Sequence, residues 1–194
     1  MPIANELISS IPGPELHASY SVDVPPEEAR LRQLDVIAKS AFNNLRAYSN
    51  CCRSTLWAVQ THLHLPDEGT FRACSCLAGG IAGSGETCGA VLGGMMAIGL
   101  ALGSDRLPAR DRDLPARISA KAFVDAFVER IGSTRCFDVQ EALIGWRCDD
   151  ASKVQAWHDA DGPHACAAVC GFAARLAAGL VLEQQDQRDE SSGV

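Results

Sequence analysis

The sequence predicts an all-α fold, a compact bundle of about five to seven helices around a central Gly/Ala-rich helix. Three observations carry this expectation. The 47% apolar content comes mainly from Ala and Leu, with 17 glycines beside them, while aromatics make up only 6%. That composition suits close-packed helices better than sheets, which draw on aromatic and β-branched residues. Apolar residues recur at helical spacing in stretches separated by Pro and Gly, and no credible strand, internal repeat or domain break interrupts them. At 194 residues the chain is long enough to bury one core without disulfide staples.

Residues 1–24 hold scattered Pro, Ser and Gly without a lasting period and are expected to form an irregular arm. A single helical domain over 25–184 follows. Pro25 and Pro26 before Glu27 and Glu28 make a helix start, because proline suits the first turn and acids suit the positive end of the helix dipole. Leu31, Leu34, Ile37 and Ala38 continue its apolar face. A second helix is expected from Ala41 to Leu63, with Leu45, Cys52, Leu56 and Val59 near one face and Pro66 closing it. Residues 68–82 read as a short helix running into Gly79, Gly80, Gly83 and Gly85.

The central helix is expected to begin near Ser84–Glu86, which puts Cys88 in its first turn. Gly89, Gly93, Ala97 and Ala101 recur every fourth residue, a ridge of small side chains along which another helix can come close. Leu92, Met96 and Leu100 form the bulkier stripe beside it. Ser104–Arg117 is charged, carries two prolines and reads as a linker. An amphipathic helix over Ile118–Ile131 ends at Gly132. A short helix over Asp138–Trp146 and a polar loop over 149–163 follow, and the last helix covers 164–184. The acidic tail 185–194 is expected to be disordered.

The net charge is −7 with no basic stripe, which argues against a nucleic-acid partner. The start MPIANELISSIPG has neither a positive opening nor a long apolar run, so no export signal is expected and the location reads as cytoplasmic. Cys88–Gly103 is apolar throughout, but it is bounded by Glu86 and Asp105 and falls short of the roughly 20 residues a membrane span needs. A buried helix is expected there and no membrane span.

Nine cysteines, at 51, 52, 74, 76, 88, 136, 148, 166 and 170, are the chemical signal. In a reducing compartment they stay thiols, which shifts weight from disulfides to metal or redox chemistry. There is no C-x-x-C, no haem-attachment C-x-x-C-H, no closely spaced ferredoxin run and no phosphate-binding loop. What remains is cysteines on separate helices, the way a bundle builds a site. Cys88 is the best placed, since the start of a helix favours a thiolate and the preceding glycines expose backbone N–H groups. Glu86 beside it is a candidate for proton transfer. Arg53, Arg72, Arg135 and Arg147 adjoin cysteines and would offset thiolate charge. His158 and His164 near Cys166 are candidates for ligation or proton transfer, while His62 and His64 read as surface residues.

The order Asn50-Cys51, then Gly85-Glu86-Thr87-Cys88-Gly89-Ala90 through Gly93, then Cys136, then Cys166 resembles the redox-active proteins named for a C-GCAxxG-C-C pattern, over roughly residues 40–180. The resemblance implies a helical protein with Cys51, Cys88, Cys136 and Cys166 as its characteristic cysteines. A related domain in split-Soret cytochromes accompanies an additional iron centre, which implies an iron–sulfur cluster of 4Fe–4S, 2Fe–2S or larger type. Cys52, Cys74, Cys76, Cys148 and Cys170 exceed the pattern and stand as further candidate ligands. Three functions follow: an iron–sulfur electron carrier or small reductase, a metal-free thiol–disulfide oxidoreductase using Cys88 and a partner such as Cys51 or Cys136, or a zinc- or copper-binding protein that is not an enzyme. A redox partner or small-molecule substrate is implied, and the small-residue ridge suits a homodimer.

Overall fold

The computed structural model describes residues 2–11, 25–107 and 111–193. The described residues form helices α1 (Pro2–Ser10), α2 (Pro26–Tyr48), α3 (Cys51–His62), α4 (Glu68–Ala73), α5 (Gly89–Leu102), α6 (Leu114–Ile131), α7 (Cys136–Ile144), α8 (Val154–Asp159) and α9 (Gly162–Ser192). Cys74–Cys76 and Ala151–Lys153 are 3-10 turns, and no strand occurs among the described residues beyond one bridge between Thr87 and Arg135. The all-α expectation holds.

The helix boundaries depart from the sequence reading in ways that bear on the site. The break between the first two helices, expected near Ala41, falls at Ser49–Asn50 instead: α2 runs unbroken for 23 residues, started by Pro26 with Glu27 and Glu28 in its first turn. It stops at Tyr48 because Ser49 turns left-handed, at φ 52°. Asn50 then caps α3, its side-chain oxygen accepting the Arg53 N–H at 3.0 Å. This Ser-Asn corner, rather than a helix running from Ala41 to Leu63, makes Cys51 the first residue of α3. Likewise α5 begins at Gly89, so Cys88 is the residue before the first turn and not within it.

The remaining differences lie at the ends. Residues 2–10 of the expected irregular arm form α1, which buries Leu7 and pairs Glu6 with Arg130 at 3.0 Å. The rest of that arm, 12–24, and linker positions 108–110 lie outside the described residues. α6 starts at Leu114, inside the expected linker, and the polar stretch 149–163 contains α8. The expected disordered tail continues α9 as helix to Ser192, and the Arg30–Asp186 ion pair ties it to α2.

Two Gly/Ala-rich helices organise the bundle, α5 as expected and α9. α9 packs against α1, α2, α3, α5, α6, α7 and α8, and α5 against α3, α6 and α9. The residues of α9 at 167, 168, 173, 174, 177 and 178 are alanines with no exposed surface, which lets its neighbours approach closely. By length and composition Gly162–Ser191 could cross a membrane, yet 61% of its apolar window is buried inside the protein. The small-residue ridge on α5 serves α3: a methyl group added at Gly93 would stand 2.4 Å from the Cys52 carbonyl oxygen.

Candidate redox site lined by five cysteines

Four helices deliver the cysteines. Cys51 opens α3, Cys88 precedes α5, Cys136 opens α7, and Cys166 and Cys170 sit one turn apart near the start of α9. All five line a single cavity of about 210 Å³. Its walls are largely apolar, with Leu45, Ala90, Val139, Trp157 and Val169, and its polar lining includes Ser49, Gln140 and His158. Three helix N-termini therefore meet at one space, and each brings free N–H groups and the positive end of a dipole.

Backbone pairing explains how Cys88 comes to face Cys136. The Cys88 N–H donates to the Thr134 carbonyl at 2.8 Å, and the Cys136 N–H donates to the Glu86 carbonyl at 2.6 Å. The Gly79–Gly85 loop folds under this ladder, the Glu86 N–H donating to Gly80 at 3.0 Å. Gly80 lies at φ +70°, and a methyl group there would meet the Cys136 Cβ at 2.6 Å. Gly89 does the same service for Cys51: its missing side chain leaves the place where the Cys51 sulfur lies, 2.3 Å from an added Cβ. Glycine is required at these two positions by neighbouring cysteines, not by the loop alone.

The electrostatics of the thiols run against the expectation for Cys88. Burial pushes its pKa up, and the neighbouring Cys51 and Cys136 add to the rise; the Ala90 and Val91 N–H groups oppose it without prevailing. Burial raises Cys136 to about 12, reinforced by Cys51 and Cys148 and opposed by Gln140. Cys166 and Cys170 are held well above the usual thiol range, again chiefly by burial. Without a bound cation these sulfurs are protonated at neutral pH and are poor nucleophiles.

Two polar residues at the site escaped the sequence reading. Gln140, one turn after Cys136, has its side-chain amide 3.8 Å from the Cys136 sulfur and accepts the Cys148 N–H at 2.8 Å. The Thr55 hydroxyl is buried with no well-formed hydrogen bond, and Cys170 is the group beside it. Helical spacing from Cys51 and Cys136 was the only signal for either.

The other candidates sit elsewhere. Glu86 contributes its backbone, but its carboxylate is exposed and pairs with Arg135 at 3.6 Å. Cys52 and Cys74 are fully buried against each other, outside the lining of the cavity, and the Cys74 sulfur is 2.9 Å from that of Met96. Cys76 is exposed, and Cys148 is half-buried and does not line the cavity. Arg147 pairs with Asp138 and Glu141, and Arg53 lies over Phe71, so neither faces the cavity sulfurs as an expected counter-charge. His158 lines the cavity, whereas His164 stands edge-on to Phe42. Cys51, Cys88, Cys136, Cys166 and Cys170 are the cavity's soft donors, of a type that could hold a soft metal, and no three His, Cys, Asp or Glu among the described residues are grouped tightly enough to share one ion.

A family model described as "Putative redox-active protein (C_GCAxxG_C_C)" matches residues 49–180. The chain belongs to this family. Comparison with curated proteins and with solved structures finds no match. As a C_GCAxxG_C_C protein the chain has its own form of the central motif: Thr87-Cys88-Gly89 stands where the pattern has Gly-Cys-Ala, and the closing glycine, Gly93, comes one place later. Both glycines face α3, so this departure goes with the close seating of Cys51 and Cys52 on α5.

Proposed function

We propose that this C_GCAxxG_C_C protein is an iron–sulfur redox protein, with Cys51, Cys88, Cys136 and Cys166 holding the cluster. The observation that carries the reading is the convergence of these four cysteines, from four helices, on one cavity. Cysteine thiolates are the common ligands of iron–sulfur clusters, and a cavity of about 210 Å³ has room for a group of several atoms. The surroundings fit a group of negative charge: three helix N-termini, the Ala90 and Val91 N–H groups at Cys88, the Gln140 amide at Cys136 and the Thr55 hydroxyl at Cys170.

A bound cluster supplies one-electron transfer and, where an iron is left open, a place for substrate. The chain's own part is to exclude water with Leu45, Val139, Trp157 and Val169, to hold the sulfurs at the mouths of α3, α5 and α7, and to hydrogen-bond them. Cys170 stands within the same cavity as a fifth sulfur, available as a replacement or extra ligand. The reading takes in an electron-transfer role or a small reductase, and a reducing, cytoplasmic setting in which nine free thiols persist. Metal-free thiol–disulfide exchange is less well supported, because burial keeps Cys88 and Cys136 protonated and screened from a substrate.

The deciding experiment is purification without oxygen followed by iron, acid-labile sulfide, zinc and copper analysis, with absorption and paramagnetic resonance spectra before and after reduction. Iron and sulfide in equal amounts, bleached by dithionite, are expected. Protein free of iron and sulfide, with one reversible cysteine pair found by alkylation, refutes the reading in favour of thiol exchange. Stoichiometric zinc or copper without sulfide refutes it in favour of a metal-binding protein.

A further inference from the structure

A second cavity, of about 370 Å³, is formed by α2, α3 and α4 and shares no lining residue with the sulfur cavity. Its size falls in the range of about 300–1,000 Å³ typical of small-molecule sites. Three aromatic side chains line it. Tyr48 and Trp57 are 76% and 48% exposed, unusual for rings of that size, and Trp57 leans on Phe71 with ring centroids 4.8 Å apart. Flat apolar faces are thus left open at a concave surface.

The polar part of the wall is one-sided. The Arg53 guanidinium lies over the Phe71 ring at 4.2 Å, which fixes its position, and it has no carboxylate partner among the described residues. Asn44 Nδ2 and Arg53 Nε are buried and find no acceptor among the described residues. No Asp or Glu lines the cavity. Donors are therefore in surplus, and a positive charge waits beside open ring faces.

We propose that this cavity binds a planar aromatic anion, its ring against Trp57 and Tyr48 and its acidic group on Arg53, with Asn44 as the second donor. A simple oxyanion would leave most of the space and both rings unused. A cation would face the guanidinium with no acid to receive it. A neutral ring would leave the arginine desolvated and unpaired. The proposal stands apart from the cluster reading, though Asn50 lines this cavity and Cys51, its neighbour in the chain, lines the other.

The test uses three probes on the full chain, followed by titration calorimetry and tryptophan fluorescence: naphthalene-2-sulfonate, 2-naphthol and methanesulfonate. Naphthalene-2-sulfonate is expected to bind one per chain, with the ring-only and anion-only probes each about tenfold or more weaker. The same loss is expected for Arg53→Gln, with Arg53→Lys recovering part of it, and Trp57→Ala should weaken binding and remove the fluorescence change. Equal binding of either control probe by the unaltered chain overturns the proposal. So does an Arg53→Gln chain of unchanged helicity that binds as before, or loss of binding in Cys51→Ser, Cys166→Ser with none in Arg53→Gln, which would put the probe in the sulfur cavity.

Discussion

Gly93→Ala tests the claim that the α3–α5 contact sets the site. The added methyl would stand 2.4 Å from the Cys52 carbonyl oxygen, 3.0 Å from the Thr55 Cβ and 3.1 Å from the Leu56 N. Two of these are backbone atoms, so no side chain can rotate away and the helices must separate. Overpacking of this kind costs about 1–3 kcal/mol. Alanine in a helix interior recovers about 1 kcal/mol of propensity relative to glycine, which would blur a single measurement. Gly99 on the same helix supplies the control, since a methyl there meets nothing within 4 Å. Gly99→Ala should be stabilising by about 0.5–1 kcal/mol. The propensity gain is common to both variants, so their difference isolates packing, about 1–3 kcal/mol with Gly93→Ala the weaker. Urea unfolding of the reduced, metal-free chain, with unchanged m-values, reads that difference directly. Gly93→Ala equal to or more stable than Gly99→Ala would refute the close-contact argument, and with it the account of how Cys51 and Cys88 are brought to one cavity.

Three further outcomes follow from the same geometry. Cys88→Ser should strip most iron from protein purified without oxygen, whereas Cys76→Ser, on an exposed thiol away from the cavity, should leave the iron content unchanged; equal losses in the two would show that the cavity does not select the ligands. Asn50→Ala removes the cap of α3 and should lower stability by about 1 kcal/mol in denaturant unfolding, while Asn50→Asp keeps the cap but loses the donor to the Ser75 carbonyl and should recover only part of the loss; no loss in the alanine variant would count against the cap. The metal-free chain should lose stability as pH rises above the ordinary thiol value of 9.0: unfolded thiols ionise there while Cys136 stays protonated to about 12 and Cys88, Cys166 and Cys170 are also held up. The unfolded state then binds fewer protons, which makes the slope of stability against pH negative. A melting temperature that is flat or rising over that window contradicts the burial of these thiols.

The all-α class was legible because it rests on composition and period, and the Cys88 segment because its glycines and cysteine are adjacent in the chain. The helix ends were harder. Ser49 and Asn50 are ordinary polar residues within an unbroken helical period, and only the left-handed turn at Ser49 shows that α2 stops there. The consequence reaches the site, since the Asn50 cap makes Cys51 the first residue of α3, at the helix end that meets the cavity. With α3 starting at Cys51, that sulfur turns to the cavity and Cys52 turns to Cys74. Which of the surplus cysteines belongs to the site could not be read from spacing either. Cys148 and Cys170 are each close in sequence to a pattern cysteine, but Cys170 is one helical turn from Cys166 and shares its face, while Cys148 lies beyond the end of α7.

Burial and helix termini pull the same sulfurs in opposite directions, and that opposition gives the site its character. A helix N-terminus alone would make Cys88 a reactive thiolate, and the Ala90 and Val91 N–H groups point that way. In the metal-free chain burial prevails at Cys88, Cys136, Cys166 and Cys170, whose pKa values are raised. A soft cation held by these sulfurs, as proposed, would reverse the balance. Its charge would replace the protons, and the N–H groups and dipoles that do not ionise the thiols unaided would stabilise the negative group. On the proposed reading, a cavity arranged in this way would discriminate by charge, favouring an anionic thiolate-bound centre over neutral thiols. Three of the four pattern cysteines, Cys51, Cys88 and Cys136, stand at the openings of α3, α5 and α7, where helix N–H groups are free, while Cys166 reaches the same cavity from one turn inside α9.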